Sequence, residues 1–382
     1  MLMVSIGTVA AGQDVTIKSV AAGNPPNPLA TCDGSEVTTA EAWREKVRPQ
    51  TLRTFREQVY GVRPVGKPAD FAAKVTREDP QALDGTATLK AVEITYSGPG
   101  GKGAIHPVII TPNAAKKPVP AFLLLNFNPP DPLLPKNRSG AWPAREIIAR
   151  GYAAVAFDFS EVDPDRADGF KDGVRALFTK APRDPQAWGA LSAWGWAASR
   201  ILDYLETDKD IDAKHVAVIG HSRAGKAALW CGAEDERFAL VISNNSGCAG
   251  AAISRTKRGE RIANITGHFP YWFCDNYQKY AGKEDDLPVD QHQLLGLIAP
   301  RLLYVASATQ DEWADPQSEF QSAVLASRVY ALFGQKGLET ATQPPPDHAL
   351  LGGSIGYHLR TGKHDLTLGD WQHYMDFADK HF

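Results

Sequence analysis

At 382 residues, with 43% hydrophobic and 22% charged side chains, the chain has an ordinary globular composition and enough length for one large domain or two medium ones with a substantial core. A formal net charge of −3 gives no sign of a nucleic-acid binder or a polybasic membrane surface, although it leaves room for local basic patches, and no run of 18 apolar residues offers a membrane span. Cys32, Cys231, Cys248 and Cys274 stand too far apart for a zinc pattern and allow between zero and two disulfides.

The chain opens on M-L-M-V-S-I-G-T-V-A-A-G-Q-D, which reads as the apolar end of a secretion signal without its basic start and predicts a secreted or periplasmic protein. Residues 1–35 form an N-terminal segment whose Pro, Ala, Asn and Gly-rich part is expected to run over the surface. Residues 36–382 read as a single domain. Thr38-x-x-Glu41 has the spacing of a capping box and predicts a helix through Trp43, Val47, Leu52 and Phe55 that Pro49 breaks or restarts. Extended segments follow at 86–96 and 104–111. The S-G-P-G-G-K-G between them lacks phosphate-loop spacing and a following helix, so it predicts a hairpin turn.

V-P-A-F-L-L-L-N-F at 119–127 is a continuous apolar run, as expected of a strand buried on both faces, and N-P-P-D-P-L-L-P-K-N-R-S-G after it reads as a rigid loop. A helix closing at Arg150, a buried strand at 152–159, an amphipathic helix at 188–206 and strands at 238–243 and 301–307 give the alternation of a doubly wound, mostly parallel sheet. The charged connection 163–184 is long enough to shape a pocket.

The chemistry concentrates at H-V-A-V-I-G-H-S-R-A-G-K-A-A-L-W, 215–230. A β-branched run ends at Gly220 and helix formers begin at Ala224, so Ser222 sits on a strand-to-helix elbow that lifts a nucleophile above the sheet. In that architecture the acid and the histidine follow later in the chain. Asp311, just past the strand at 301–307, is the candidate acid, with Glu312 and Asp315 as competitors. His364 in T-G-K-H-D is the candidate base, with His348 and His358 as rivals. His221 is expected to point away from the cleft and pack or cap. Arg223 and Lys226 lie three apart on one helix face, in a first turn that disfavours cations electrostatically, which points to a role toward an anionic substrate or oxyanion. Nine Trp and 11 Tyr are compatible with a sugar-binding cleft, although scattered core aromatics account for most such counts.

Taken together, G-H-S-R-A-G-K (220–226), N-N-S-G-C-A-G-A-A (244–252), R-G-E (258–260), F-P-Y-W-F-C (269–274), D-L-P-V-D-Q-H (286–292), S-A-T-Q-D-E-W-A-D-P (307–316) and G-K-H-D (362–365) resemble the bacterial branch of the glucuronoyl esterases, carbohydrate esterase family 15. The resemblance implies an α/β-hydrolase fold, a three-layer αβα sandwich, that splits the ester between glucuronic acid on xylan and a lignin alcohol. It implies Ser222 as nucleophile, His364 as base, and the backbone and guanidinium of Arg223 at the oxyanion. Lys226, Glu260 and Trp313 would hold the glucuronoyl ring; by itself Glu260 reads as a surface acid. No metal or cofactor is implied, and the protein is expected to act as a monomer on glucuronoxylan or lignin–carbohydrate esters, not on nucleic acid or membrane. Where fungal members and some bacterial ones carry a catalytic Glu, this chain has Asn245, which moves the acid to Asp311. Where the fungal members carry a cysteine beside the nucleophile, it has His221, so their disulfide cannot form. An acetyl xylan esterase-like activity and a catalytically inactive carbohydrate-binding protein are the alternatives.

Overall fold

In a computed structural model, the structure describes residues 24–127, 141–179, 184–256 and 258–382. The signal-like start, the Pro-rich loop at 128–140 and part of the 163–184 connection lie outside the described residues.

Eleven strands form one mixed sheet: β1 (Ala72–Ala82), β2 (Ala87–Gly98), β3 (Gly101–Ile105), β4 (Val108–Pro112), β5 (Val119–Asn126), β6 (Ala153–Asp158), β7 (Ile211–His221), β8 (Leu240–Asn244), β9 (Leu302–Ala308), β10 (Ala349–Leu350) and β11 (Ile355–Arg360). Their order is β1-β2-β4-β6-β5-β7-β8-β9-β11-β10, with β3 paired to β2. Pairs from β6 through β5, β7, β8 and β9 to β11 are all parallel, whereas β1–β4 and β10 are attached antiparallel.

Because strand residues alternate faces, each buried strand feeds two cores. Leu123, Leu125, Val155, Phe157, Val216 and Val218 pack on one face against helices Ala190–Leu205 and Arg223–Glu234. Phe122, Leu124, Ala154, Ala156, Ala217 and Ile219 pack on the other against helices Ala144–Ala149 and Leu368–His381. The result is the αβα sandwich that the apolar runs imply. The path from β6 to β7 crosses β5, so the winding reverses there and opens a crevice at the carboxyl ends of the strands.

Several expectations need correction. Thr39, not Thr38, caps the first helix, accepting from the Ala42 N–H at 3.2 Å. Pro49 does not interrupt it. The chain stays helical from Ala40 to Tyr60, with a wide π turn at Trp43–Val47 just before the proline, which relieves the clash of its ring with the preceding turn. The lead-in does not simply run over the surface: Leu29 is buried, and Trp43 Nε1 and His292 Nε2 bond to the carbonyls of Pro28 and Pro26. Helix Ala190–Leu205 is buried on every face rather than on one, its Arg200 neutralised by Asp203 at 2.6 Å. The glycine run is a hairpin turn, but β2 and β3 extend into it until only Pro99 and Gly100 remain. The extended stretch at 104–111 divides between β3 and β4. Strands β1, β10 and β11 have no counterpart among the expected elements, β1 because it is an exposed, polar edge. No disulfide joins Cys32, Cys231, Cys248 or Cys274.

The connection after β6 is anchored by a buried ion pair. Arg175 Nη2 and Nε reach Asp163 at 2.6 and 2.9 Å, both side chains are almost fully enclosed, and Trp194 Nε1 donates to the Asp163 carbonyl at 2.8 Å. Removing one partner strands the other charge, so Asp163→Ala is expected to cost about 3–5 kcal/mol in urea denaturation. An unchanged midpoint would refute this.

Candidate active site

Ser222 stands between β7 and helix Arg223–Glu234 with φ 57° and ψ −124°. For a residue with a Cβ this costs roughly 1–3 kcal/mol, so the surroundings must impose it. The Ser222 N–H donates to the Asn244 carbonyl at 2.9 Å, and its own carbonyl accepts from the Lys226 N–H at 3.2 Å. A Cβ on Gly220 would lie 2.0 Å from the Ala224 carbonyl oxygen, and one on Gly225 3.0 Å from that of Gly220. Only glycines let strand end and helix start approach so closely. The first amides of the helix have no acceptor within it and carry its positive end, a ready environment for a developing oxyanion.

Asp311 follows β9 and His364 follows β11, at the same edge of the sheet. The His364 Nδ1 lies 2.6 Å from Asp311 Oδ2. The same oxygen accepts from Asn245 Nδ2 at 2.9 Å. Burial pushes the Asp311 carboxyl up, but the hydrogen bonds from His364 and Asn245 outweigh it and hold the group below its ordinary value. An ionised Asp311 keeps the proton on Nδ1 and leaves Nε2 as the basic atom. Ser222, His364 and Asp311 line one cavity of about 310 Å³, together with Arg223, Lys226, Asn245, Glu260, Trp272 and Trp313.

The rivals are elsewhere. His358 is enclosed between Asp370, at 2.8 Å, and Tyr304, at 3.0 Å, in a structural pair. Asp315 caps helix Pro316–Leu332, Glu312 is exposed and lines a different cavity, and His348 is exposed. His221 does not line the cavity. Its ring packs 4.5 Å from that of His364, centroid to centroid, and its Nδ1 lies 2.5 Å from Asn244 Oδ1. The Asn244 amide nitrogen donates to Tyr374, which turns its oxygen to His221 and makes Nδ1 the donor. Burial first, and the charge of His364 second, bring the His221 pKa down to about 4.

Neither cation of the elbow is a solvated helix residue. The Arg223 Nη1 reaches Asp165 at 2.5 Å, and Asp165 is itself fixed by Tyr271 Oη at 3.0 Å and Trp272 Nε1 at 2.8 Å. The guanidinium lies 4.8 Å from the Trp272 ring centroid and 5.3 Å from that of Phe269, and its Nε is buried with no hydrogen-bond partner among the described residues. Lys226 is 5% exposed and donates to the carbonyls of Ser246 and Cys248 at 2.5 and 2.6 Å, with Glu260 Oε2 at 3.6 Å. Glu260, by itself a surface acid in sequence, lines the cavity; its N–H donates to the Trp313 carbonyl at 2.8 Å, and Gly259, at φ 55°, passes so close that a Cβ would lie 2.5 Å from the same oxygen. Trp313 is 54% exposed and presents an aromatic surface at the cavity.

Sequence reasoning brought together Ser222, Arg223, Lys226, Glu260, Asp311, Trp313 and His364, all of which line the cavity. It missed Asp165, the partner of Arg223, for which D-P-D-R offers no signal. It also discounted Asn245, whose amide cannot serve as the triad's acid but donates to the carboxylate that can. The aromatic bed of Arg223 was visible only as the motif F-P-Y-W-F-C.

Fold and geometry define a serine hydrolase of the α/β-hydrolase class. The family described as glucuronyl esterase, fungi, matches residues 92–334. The carbohydrate esterase MZ0003, from an unknown prokaryotic organism, is 39% identical over 93% of this chain and 89% of its own length. A 4-O-methyl-glucuronoyl methylesterase of Schizophyllum commune is 28% identical over 87% of this chain and 81% of its own. Among solved structures, a glucuronoyl esterase from Solibacter usitatus superposes with a TM-score of 0.88 at 42% identity, covering 94% of this chain and 98% of that one. The chain belongs to the glucuronoyl esterase family.

The depressed pKa of His221 has a stability consequence. The unfolded chain binds this proton from about pH 6.5 downward, the folded one only near pH 4, so the contribution is complete above pH 6.5 and is lost as pH falls toward 4. In denaturation measured across pH 4–7, His221→Phe is expected to lower the slope of stability against pH. An unaltered slope would contradict the assignment.

Proposed function

We propose that the protein is a serine esterase that hydrolyses esters of glucuronic acid and 4-O-methylglucuronic acid, as they occur between glucuronoxylan and lignin alcohols. The observation that carries this reading is the convergence of a serine elbow, a His364–Asp311 hydrogen bond and two restrained cations on one cavity. Family membership and the names of the relatives support the substrate class.

In the first half-reaction His364 Nε2 takes the Ser222 hydroxyl proton as Oγ attacks the uronoyl carbonyl. The oxyanion is met by the helix-start amides and by Arg223, whose Nε is buried with no hydrogen-bond partner among the described residues. The intermediate collapses, His364 returns the proton to the leaving alcohol, and an acyl-enzyme remains on Ser222. Water, deprotonated by the same imidazole, then releases glucuronate and restores the serine. Asp311 stabilises the imidazolium through both half-reactions, with Asn245 preserving its charge. Lys226 and Glu260 bond the ring hydroxyls, and Trp313 lies against the sugar face. Arg223 is presented by Asp165 and the aromatic bed, so its charge is restrained before substrate arrives. A polymeric substrate supports action outside the cytoplasm.

Ser222→Ala is expected to lower kcat on methyl glucuronate by about 10⁴-fold or more, and Asp311→Asn by about 10²–10⁴-fold with KM little changed. Undiminished turnover by S222A, measured in a continuous ester assay, would remove the nucleophile. Trp313→Ala changes an exposed side chain and is expected to preserve stability to within about 0.5 kcal/mol while raising KM for glucuronate esters by on the order of 10-fold, with acetyl esters unaffected. An equal effect on acetylated xylose would instead favour an acetyl esterase.

A further inference from the structure

Glu319, near the start of helix Pro316–Leu332, is completely enclosed and does not line the active-site cavity. The donors that reach its carboxylate are all neutral. Oε1 accepts from the Gly247 N–H at 2.8 Å and, more weakly, from Ser246 Oγ at 3.5 Å, while Oε2 accepts from Ser307 Oγ at 2.6 Å. Burial drives its pKa up to about 7, against the hydrogen bonds of Ser307 and Gly247, and the negative charge of Asp311 adds to the rise. The charge of Lys226 opposes that rise, but a buried carboxyl that no cation contacts directly is costly unless its hydrogen bonds organise something.

What they organise is the turn after β8. It is conformationally demanding, with Asn245, Gly247 and Ala249 all at positive φ. Through it pass four contacts of the site. The Asn244 carbonyl accepts from the nucleophile's N–H, Asn245 donates to Asp311, and the carbonyls of Ser246 and Cys248 hold Lys226. The Gly247 N–H, in the middle of these, is secured only by Glu319 among the described hydrogen bonds. Ser246 Oγ, which approaches the same carboxylate, closes the turn by accepting from the Ala251 N–H at 2.8 Å and from Ser243 Oγ at 2.7 Å.

We propose that Glu319 is a positioning residue for both halves of the site, holding from beneath the turn that seats Asn245 on Asp311 and presents two carbonyls to Lys226. It touches neither substrate nor reacting atoms. Its loss acts through Asp311 on proton transfer at His364, and through Lys226 on the grip on the glucuronoyl ring. The second effect rests on the substrate reading above; the first does not.

The test compares Glu319→Ala with Glu319→Gln, each normalised to active sites titrated with a serine-directed phosphonate, on methyl glucuronate and on p-nitrophenyl acetate. Gln keeps an oxygen for the Gly247 N–H; Ala does not. E319A is expected to lose about 10-fold or more in kcat on both esters and to raise KM on the glucuronate ester alone, while E319Q stays within about 3-fold of wild type in both constants. Unchanged constants per titrated site in E319A, whatever its thermal stability, would overturn the proposal, because a merely structural role reduces only the active fraction. Equal losses in the two variants would overturn it as well, since the acceptor for Gly247 survives in only one. If wild type does not turn over methyl glucuronate, the substrate reading fails, and the kcat comparison on p-nitrophenyl acetate still decides the role of Glu319.

Discussion

Everything in the site depends on the backbone of Ser222. A serine at φ 57° is unfavourable in isolation, and it persists because Gly220 and Gly225 let β7 and the following helix pack almost backbone to backbone. This constraint aims the hydroxyl out of the sheet and places the first helical amides beside it. It also sets Arg223 and Lys226 within reach of the reacting centre, the position from which they serve the proposed chemistry. Placing two cations at the positive end of a helix is unfavourable by itself. The structure offsets it with Asp165 against Arg223 and with two carbonyls and Glu260 around Lys226.

The site is built in two tiers. The tier facing the cavity contains Ser222, His364, Asp311 and the groups proposed to grip the uronoyl ring. Behind it, a second tier holds the first by hydrogen bonds and packing. Asn245 donates to Asp311, His221 lies on His364, Asp165 restrains Arg223, and Glu319 secures the turn that carries Asn245. The charge state of each supporting group follows from its surroundings. His221 is kept neutral chiefly by burial, whereas Asp311 stays ionised because two donors converge on one oxygen.

Asn245 supports the acid of the proposed triad instead of supplying it. Its amide has no charge to offer an imidazolium. It has, however, an N–H to offer a carboxylate arriving from the next strand, and Asp311 takes it. In the proposed triad the acid comes from the segment after β9, and Asn245, just past the end of β8, supports it.

Much of this was written in the sequence, and the reason is locality. Apolar runs such as 119–127 announce strands buried on both faces, and G-H-S-R-A-G-K announces an elbow, because strand period, glycine tolerance and helix propensity all act over a few residues. The order serine, acid, histidine then follows from the architecture and narrows the acid to Asp311, Glu312 or Asp315 and the base to His364, His348 or His358, among which the assembled fold selects Asp311 and His364. Tertiary structure decided what depends on distant segments meeting. Arg223 finds Asp165 across 58 positions, Glu319 finds Gly247 across 72, and the Glu260 N–H meets the Trp313 carbonyl. Burial is likewise a property of the assembled layers. A helix with an amphipathic pattern became enclosed on every face, and an acid at the start of an ordinary helix became the anchor of the active-site turn. Neither outcome has a local cause, and so neither leaves a local trace.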